Sequence, residues 1–172
     1  TASNGDKLTI KQTLKYAKQL AIAQRSNNKK RIKAIHAKIK NTRQDLIHKF
    51  TTQLVKDNAL IVVGDVKTTQ FNSKKGKLAK SVYDAGWFEL KRQLTYKCEN
   101  AGCRFEIVSE RYTTQTCSCC GDMSSSPKGR AGLRIREWTC AMCGTWHDRD
   151  INASRNILAV GLGRLGAGIP SL

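Results

Sequence analysis

The sequence predicts an α/β fold with mixed strand pairing and a small metal-binding insert near its C-terminal end. Helical and strand-like apolar patterns alternate along the 172 residues, which is the order typical of α/β proteins. Asn4-Gly5 favours a type I′ turn, so residues 1–10 are expected to form a β-hairpin. Because a hairpin pairs antiparallel, a purely parallel, doubly wound sheet is excluded. Two Cys-x-x-Cys pairs far downstream predict the metal site.

The first third of the chain predicts two helices. The first covers residues 11–25 and ends at Ser26-Asn27-Asn28, which breaks the helical pattern. The second covers residues 29–56, and its apolar side chains form one stripe: Ile32, Ile35, Ile39, Leu46, Phe50 and Leu54. Basic residues fill the remaining surface, where a solvated face is the simpler interpretation of any single lysine. Three of them are candidate contacts to nucleic-acid phosphates: Lys38, Lys40 and Arg43.

Further strands and helices are predicted in the rest of the chain. Leu60-Ile61-Val62-Val63 is a continuous apolar run, typical of a buried central strand. A polar loop at residues 68–80 carries three more candidate phosphate contacts: Lys74, Lys75 and Lys77. Asp84 is expected to cap a helix with one apolar face, formed by Trp87, Leu90 and Leu94. Residues 104–109 predict another strand, and a last helix is expected over residues 151–160.

The charge balance indicates a polyanionic partner. Lys and Arg total 31 against 13 Asp and Glu, which gives a formal net charge of +18. Nucleic acid is favoured over a membrane surface because the basic residues are spread through several elements and aromatic anchors are few. No apolar run reaches the length of about 18 residues that a membrane span needs, and no signal peptide opens the chain. The seven cysteines are therefore expected to be reduced, inside the cell.

Four cysteines have the spacing of a tetrahedral metal site: Cys117, Cys120, Cys140 and Cys143. A glycine follows each pair and lets backbone amides turn toward sulfur, so structural zinc closed by two knuckles is predicted. Iron in a rubredoxin-like site and a disulfide framework are the alternatives. The basic loop between the pairs adds two candidate nucleic-acid contacts, Lys128 and Arg130. No role is assigned to Cys98, Cys103 or Cys119.

Few acidic residues occupy positions suited to metal-dependent phosphodiester hydrolysis, which uses carboxylates from strand ends and helix starts. Asp65 and Glu110 follow predicted strands, and Asp148 and Asp150 begin the last helix. A helix N-cap is the simpler interpretation of Asp150, and a surface charge is that of Glu110. His147 lies beside the second cysteine pair and is a candidate to orient a carboxylate.

The run that contains these residues resembles the TnpB family of transposon-encoded RNA-guided nucleases, the OrfB transposases, which are similar to type V CRISPR effectors. The resemblance is carried by Glu-Arg-Tyr-Thr-Thr-Gln-Thr-Cys at 110–117, by the two cysteine pairs, and by Asp-Arg-Asp-Ile-Asn-Ala-Ser-Arg-Asn-Ile at 148–157. The apolar run at 60–63 and Ser-Val-Tyr-Asp-Ala-Gly-Trp at 81–87 fit the same family. The resemblance thus covers essentially the whole chain.

This resemblance implies a RuvC-like RNase H fold with an inserted zinc ribbon, and Mg²⁺-dependent DNA cleavage directed by a guide RNA. It implies a RuvC core at residues 1–113, a zinc ribbon at 114–146, the last RuvC helix at 147–160 and a loose glycine-rich tail at 161–172. A prokaryotic-type cytoplasmic location follows, on the nucleoid when the protein is bound to DNA.

The resemblance also implies a triad of an Asp on the first strand, a middle Glu and a last Asp. Asp150 matches the last position. Gly64 stands where the family has its middle Glu, which leaves a relocated Glu110, our preference, or Asp65 for that role. The first Asp would precede Thr1, so the 172-residue chain alone is expected to bind nucleic acid but to cleave poorly. The alternative function is a non-catalytic basic zinc-ribbon protein that binds DNA or RNA, or an inactive nuclease fragment.

Overall fold

The computed structural model describes residues 1–9, 12–65, 86–123, 127–128, 132 and 134–163. The chain divides into two compact units. One comprises Leu8–Ala59 and Lys67–Arg104, and the other comprises Thr1–Lys7, Leu60–Val66 and Phe105–Leu172. Among the helices of the described residues, none is long and apolar enough to cross a membrane.

The first unit contains the two helices expected in the first third of the chain. Helix α1 spans Gln12–Arg25 and helix α2 spans Lys29–Asp57. Asn28 caps α2, because its side chain accepts a hydrogen bond from the backbone N–H of Arg31 at 3.0 Å. The two helices pack through a cluster of buried side chains: Tyr16, Leu20, Ala23, Ile35 and Ile39. Apolar periodicity was therefore a sufficient guide to both helices.

The buried line of α2 differs from the predicted stripe in its second half. Its buried residues recur every four positions: Ile35, Ile39, Arg43, Ile47 and Thr51. Four residues exceed one helical turn of 3.6, so this line winds slowly around the helix. The expectation that Arg43 is exposed to phosphates is wrong, since only 9% of this residue is exposed. Its charge instead acts on Glu89, which belongs to the next helix.

Helix α3 spans Trp87–Ala101 and packs against α2. Gly86 occupies its N-cap with φ +64°, so the prediction that Asp84 caps this helix is wrong. A side chain at position 86 would also meet Ile47, because a Cβ there would lie 2.6 Å from its Cδ1 atom. Across the same contact, the buried Thr51 hydroxyl donates to Gln93 Oε1 at 2.9 Å. Polar residues thus enter this core with partners, as buried polar groups require.

The second unit contains two small sheets and the last helix. Strands β1 (Leu60–Gly64) and β2 (Arg104–Val108) lie where strands were predicted, and they pair to form the first sheet. The N–H of Arg104 donates to Ala59 O, and the N–H of Asp65 donates to Val108 O. From the first bond to the second, the residue number increases along both strands, so β1 and β2 run parallel.

The second sheet was not foreseen, because its strands are too short to show a period. Strands β3 (Glu137–Thr139) and β4 (Trp146–Asp148) pair antiparallel, with Trp138 opposite His147. Helix α4 spans Arg149–Gly161 and follows β4 without a linker. Its start is two residues earlier than expected.

The N-terminal turn forms, but not as a type I′ turn. Gly5 has φ +95°, whereas Asn4 does not have a positive φ. The N–H of Gly5 donates to Ala2 O at 3.0 Å, and the N–H of Ala2 donates to Asp6 O at 2.8 Å. This is the pattern of a three-residue hairpin loop, which needs only one residue with positive φ. No strand is assigned within residues 1–9. The expected basic loop at 68–80 lies outside the described residues, as does residue 164 onward in the expected tail.

Candidate metal centre and carboxylate site

The four predicted cysteines converge in the second unit. The sulfur atoms of Cys117, Cys120, Cys140 and Cys143 all lie within 4.8 Å of one another. The Sγ atoms of Cys117 and Cys143 are 3.7 Å apart, and those of Cys120 and Cys140 are 3.6 Å apart. Four thiolates bound to zinc at about 2.3 Å in a tetrahedron have sulfur separations of about 3.8 Å. The donor set therefore fits a tetrahedral metal such as zinc.

The two cysteine pairs adopt the same type of backbone turn. The N–H of Gly121 donates to Cys117 O at 2.9 Å, and that of Gly144 donates to Cys140 O at 2.9 Å. These two glycines have φ +81° and +70°, a region that side chains with a Cβ rarely occupy. The first cysteine of each pair also donates its own N–H to a residue five positions later. The repeated geometry explains why a glycine follows each pair.

The thiols differ in acidity because they differ in environment. Burial raises the pKa of Cys117 to about 12. Hydrogen bonds with Thr145 lower the pKa of Cys143 to about 6. A metal ion that binds all four sulfurs must therefore displace the proton of Cys117, whereas the Cys143 thiol is already largely ionised near neutral pH.

His147 contacts the cluster from β4. Its Nε2 atom lies 3.1 Å from Cys117 Sγ, and only 3% of the residue is exposed. Its ring centroid is 4.7 Å from that of Trp138 on the paired strand. Burial lowers the pKa of His147, which favours a neutral ring whose Nε2–H can donate to a thiolate. The contact found is with a cysteine, where the sequence had suggested a carboxylate.

Asp148, and not Asp150, is the N-cap of α4. Its Oδ1 atom accepts hydrogen bonds from the N–H groups of Asp150 and Ile151 at 2.9 and 3.0 Å. These two bonds, with that from Ile151 the larger influence, lower the pKa of Asp148. Asp150 is thus released from the capping role and extends from the first turn with 47% of its side chain exposed. Arg136 approaches it at 3.6 Å, an exposed pair that contributes little to stability.

Glu110 lies directly over Gly64. A Cβ atom placed on Gly64 would be 3.0 Å from Glu110 Oε2 and 3.2 Å from Glu110 Cβ. A side chain that projected from position 64 would therefore enter the space that the Glu110 side chain occupies. A side chain at position 64 would therefore require the exposed Glu110 side chain to move.

One face of helix α4 packs along β1 near Gly64. A Cβ on Gly161 would lie 2.5 Å from Val62, and a Cβ on Gly64 would lie 3.1 Å from Ile157. The helix and strand thus run in opposite directions along the contact. Asp150 precedes Ile157 by seven residues, so it lies on nearly the same face and about 10 Å farther along the helix axis. Asp150 therefore lies on the side of Gly64 toward which β1 ends, as does Asp65.

The other residues singled out in the sequence are the candidate nucleic-acid contacts and the three cysteines outside the cluster. Lys38 and Lys40 are exposed on α2, and Lys128 is exposed in the second unit. Lys74, Lys75, Lys77 and Arg130 lie outside the described residues. Cys119 is exposed, Cys98 is buried at the end of α3, and Cys103 is partly buried beside it.

Two asparagines that sequence reasoning left without a role are buried in α4. Asn152 is 1% exposed and Asn156 is 0% exposed. Both bind the loop that precedes Cys117. Their signal in the sequence was an i, i+4 pair of carboxamides in a helix, since such a pair shares one face.

Comparisons with known proteins identify the family. A family model described as "Probable transposase" matches residues 3–74, and one described as "Cas12f1-like, TNB domain" matches residues 87–157. A putative RNA-guided DNA endonuclease of Streptomyces pristinaespiralis is 38% identical over 182 residues, which cover 98% of this chain and 44% of that protein. TnpB-like protein L79 of Acanthamoeba polyphaga mimivirus is 30% identical over 136 residues, which cover 76% of this chain and 25% of that protein. The chain belongs to the TnpB-like family.

A solved structure supports the fold. The chain is similar to one in the cryo-EM structure of a Cas12f1–sgRNA–target DNA complex, with a TM-score of 0.63 and 18% sequence identity. The match covers 86% of this chain and 41% of that chain. The chain spans less than half the length of the relatives that it matches. At this identity the likeness concerns the fold, which is α/β and shared with Cas12f1.

Proposed function

We propose that this TnpB-like chain is the nuclease portion of an RNA-guided DNA endonuclease associated with transposable elements. Guide RNA and target DNA would be its partners, and its fold would be that of RuvC, with the zinc ribbon inserted. The observation that carries this proposal is the position of Glu110 over Gly64. A carboxylate thus lies beside the position at which the family is expected to have its middle Glu, and this supports Glu110 in that role.

Glu110 and Asp150 are the proposed catalytic residues. Glu110 occupies the space above the last residue of β1, and Asp150 extends from the start of α4 beyond the same strand end. Asp65 is the weaker candidate for the middle position. Its backbone N–H donates to Val108 O at 2.7 Å, which continues the ladder between β1 and β2, whereas the Glu110 carboxylate lies beside position 64.

The proposed cofactors are a structural zinc on the four cysteines and Mg²⁺ at the carboxylates. Carboxylate oxygens are the ligands that Mg²⁺ prefers, and the ion would stabilise charge on the scissile phosphate. The role of Glu110 and Asp150 is to hold their oxygens at the strand end. The salt bridge from Arg136 keeps a positive charge beside Asp150.

The division of the chain into a core at 1–113, a zinc ribbon at 114–146, a last helix at 147–160 and a loose tail at 161–172 is part of the proposal. The last helix itself covers Arg149–Gly161, so the proposed tail begins after Gly161. β3, β4 and the cysteine turns support a ribbon in this region, because they surround one metal site. The proposed location is cytoplasmic, on the nucleoid when the protein is bound to DNA, and the net charge of +18 supports a nucleic-acid partner.

Cleavage by the complete protein with its guide RNA tests the proposal. Asp150→Ala and Glu110→Ala are expected to abolish Mg²⁺-dependent cleavage and to leave nucleic-acid binding nearly intact, because affinity comes from the basic surface. Asp65→Ala is expected to reduce cleavage less. If Asp65→Ala is inactive and Glu110→Ala is active, Asp65 is the middle residue. If no variant changes cleavage, the site is misassigned, and a protein that binds without cleaving would support the non-catalytic alternative.

Binding itself should depend strongly on salt. A chain with net charge +18 has enough cations for six or more phosphate contacts, which predicts a slope steeper than about −5 of log affinity against log salt concentration on duplex DNA. Reversing the charges of the exposed Lys38 and Lys40 should reduce both the affinity and the slope. The same change at the exposed Lys49, which is paired with Asp45 at 2.9 Å, serves as the control. An affinity that is independent of salt would contradict the proposal.

A further inference from the structure

We propose that Asn152 and Asn156 are positioning residues that fix the rotation of α4, and with it the direction of the Asp150 carboxylate, by clamping the helix to the loop that leads into the cysteine cluster. The catalytic part of this statement rests on the proposed function. The mechanical part, that the metal site holds α4 through two asparagines, does not.

The clamp consists of two carboxamides that share the same acceptors. Asn152 Nδ2 donates to Thr113 O at 3.3 Å and to Thr116 O at 2.8 Å. Asn156 Nδ2 donates to the same two oxygens at 2.8 and 2.7 Å. Asn152 Oδ1 accepts from the N–H of Ser118, the residue after the first metal-site cysteine, at 2.8 Å. Five hydrogen bonds therefore join one face of α4 to a six-residue segment.

The chemistry of these contacts requires a carboxamide. The loop presents two carbonyl oxygens and one N–H to the helix, so Asn152 must both donate and accept. Asn156 donates to the same two carbonyl oxygens, while its buried Oδ1 has no hydrogen-bond partner among the described residues. An ionised carboxylate offers only acceptors and would face both carbonyls. An apolar side chain of the same shape would leave buried backbone groups without partners, which is costly. Both asparagines are almost fully buried, so water does not replace the lost contacts.

The geometry of the helix transmits the clamp to Asp150. Each residue turns an α-helix by about 100°. Asn152 and Asn156 therefore lie about 40° apart, on one face, while Asp150 lies about 200° from Asn152, on the opposite face. Two contact points one turn apart resist rotation of the helix about its axis. Fixing the buried face thus fixes where Asp150 points.

The same loop also holds Glu110. The N–H and the hydroxyl of Thr113 both donate to Glu110 O, at 3.2 and 2.8 Å. The segment from Glu110 to Cys117 therefore has a proposed catalytic residue at one end, a metal-site cysteine at the other and the clamped carbonyls between them. His147 adds a second connection, since it contacts Cys117 and directly precedes the cap of α4. The cysteine cluster, Glu110 and Asp150 are thus parts of one connected structure.

Hydrogen exchange on the zinc-loaded chain tests the mechanical statement. Asn152→Asp and Asn156→Asp each keep the shape of the side chain and replace its donor. We expect the amides of residues 151–157 to exchange about tenfold faster or more, because a buried unpaired group has a cost of that order in an equilibrium constant. Zinc content should stay at the wild-type level. Asn41→Asp, the same change on the exposed surface of α2, should alter nothing in this region.

Unchanged exchange of residues 151–157 in both asparagine variants would overturn the proposal. Should either variant fail to fold, the wild-type chain supplies the test. Removal of zinc by a chelator is expected to deprotect residues 113–118 and 151–157 together, and re-addition of Zn²⁺ to restore both. Protection of 151–157 that survives while 113–118 is lost would overturn the coupling.

Cleavage by the complete protein separates positioning from general stability. Asn152→Asp should shift the Mg²⁺ concentration for half-maximal cleavage upward several-fold, with activity recovering at high Mg²⁺, whereas Asp150→Ala should not recover. An unchanged Mg²⁺ midpoint would overturn the positioning role. If Asp150→Ala cleaves normally, the proposed function fails, while the exchange result decides the clamp separately.

Discussion

Replacing Gly64 with alanine should displace the Glu110 side chain while leaving the chain folded. The new Cβ would lie 3.0 Å from Glu110 Oε2, 3.1 Å from Ile157 Cδ1 and 3.2 Å from Glu110 Cβ. Because carbon atoms pack at about 3.5–4.0 Å, these neighbours must retreat by about 0.5 Å. Alanine has no backbone penalty at this position, since Gly64 does not have a positive φ.

The expected effect is larger on cleavage than on stability. Overpacking costs about 1–3 kcal/mol, and replacing glycine regains about 0.4–1 kcal/mol from the unfolded chain, so a net loss of about 1 kcal/mol is expected. For a protein of this size that lowers Tm by about 2–4 °C. A misplacement of about 1 Å can reduce a reaction rate about 10²-fold, so a shift of half that distance should reduce cleavage about tenfold.

Gly161→Ala is the matched control. It crowds the same contact between α4 and β1 more severely, because its Cβ would lie 2.5 Å from Val62, and its three nearest atoms all belong to that residue and not to Glu110. Thermal unfolding of the 172-residue chain and single-turnover cleavage by the complete protein well below Tm, both measured for each variant, separate the two effects. Wild-type cleavage by Gly64→Ala would refute the reasoning, as would an equal loss in Gly161→Ala at the same folded fraction.

Three further outcomes can be checked on the chain itself. Elemental analysis should find one zinc per chain. Cys140→Ser should lose the zinc and unfold the two cysteine turns, since structural zinc contributes about 10–16 kcal/mol in zinc-finger peptides. Folded protein without zinc or iron would contradict the assignment. Burial raises the pKa of Cys98 to about 11, so iodoacetamide near neutral pH should modify Cys103 well before Cys98. Both cysteines lie on one tryptic peptide, from which the two rates of modification are read. Equal rates would show that Cys98 is not buried. A hydrogen bond from Arg92 lowers the pKa of Glu89 from 4.5 to about 2. The stability that this carboxylate adds is therefore present above pH 4.5 and is lost as the pH falls through 2. Glu89→Gln should lower the urea midpoint at pH 6 but not at pH 2, and equal losses at both pH values would contradict this.

Local features of this protein could be read from its sequence because their causes are local. Helices α1 and α2 follow from apolar spacing, and their separation follows from Ser26-Asn27-Asn28. The cysteine turns follow from a glycine after each pair, because the turn needs a positive φ there. Even the family could be recognised, since its motifs are short runs of adjacent residues.

The sequence pattern was misleading wherever a distant contact decided the outcome. Arg43 looked like an exposed cation, yet it is buried where α3 packs against α2 and brings Glu89 near it. Asp84 looked like a helix cap, but the close approach to Ile47 suits the bare backbone of Gly86. Neither contact has a signature in the residues that surround it in the chain.

The carboxylate site shows the same division. Adjacent residues suffice to mark Asp150 as the start of a helix, and the spacing alone could not decide between Asp148 and Asp150 as its cap. The structure decides it through two backbone hydrogen bonds to Asp148. Glu110 and Gly64 are 46 positions apart in the chain, and they meet only because β1 and β2 pair side by side. Periodicity describes one helix or strand at a time, whereas the meeting of two elements depends on how the whole chain packs.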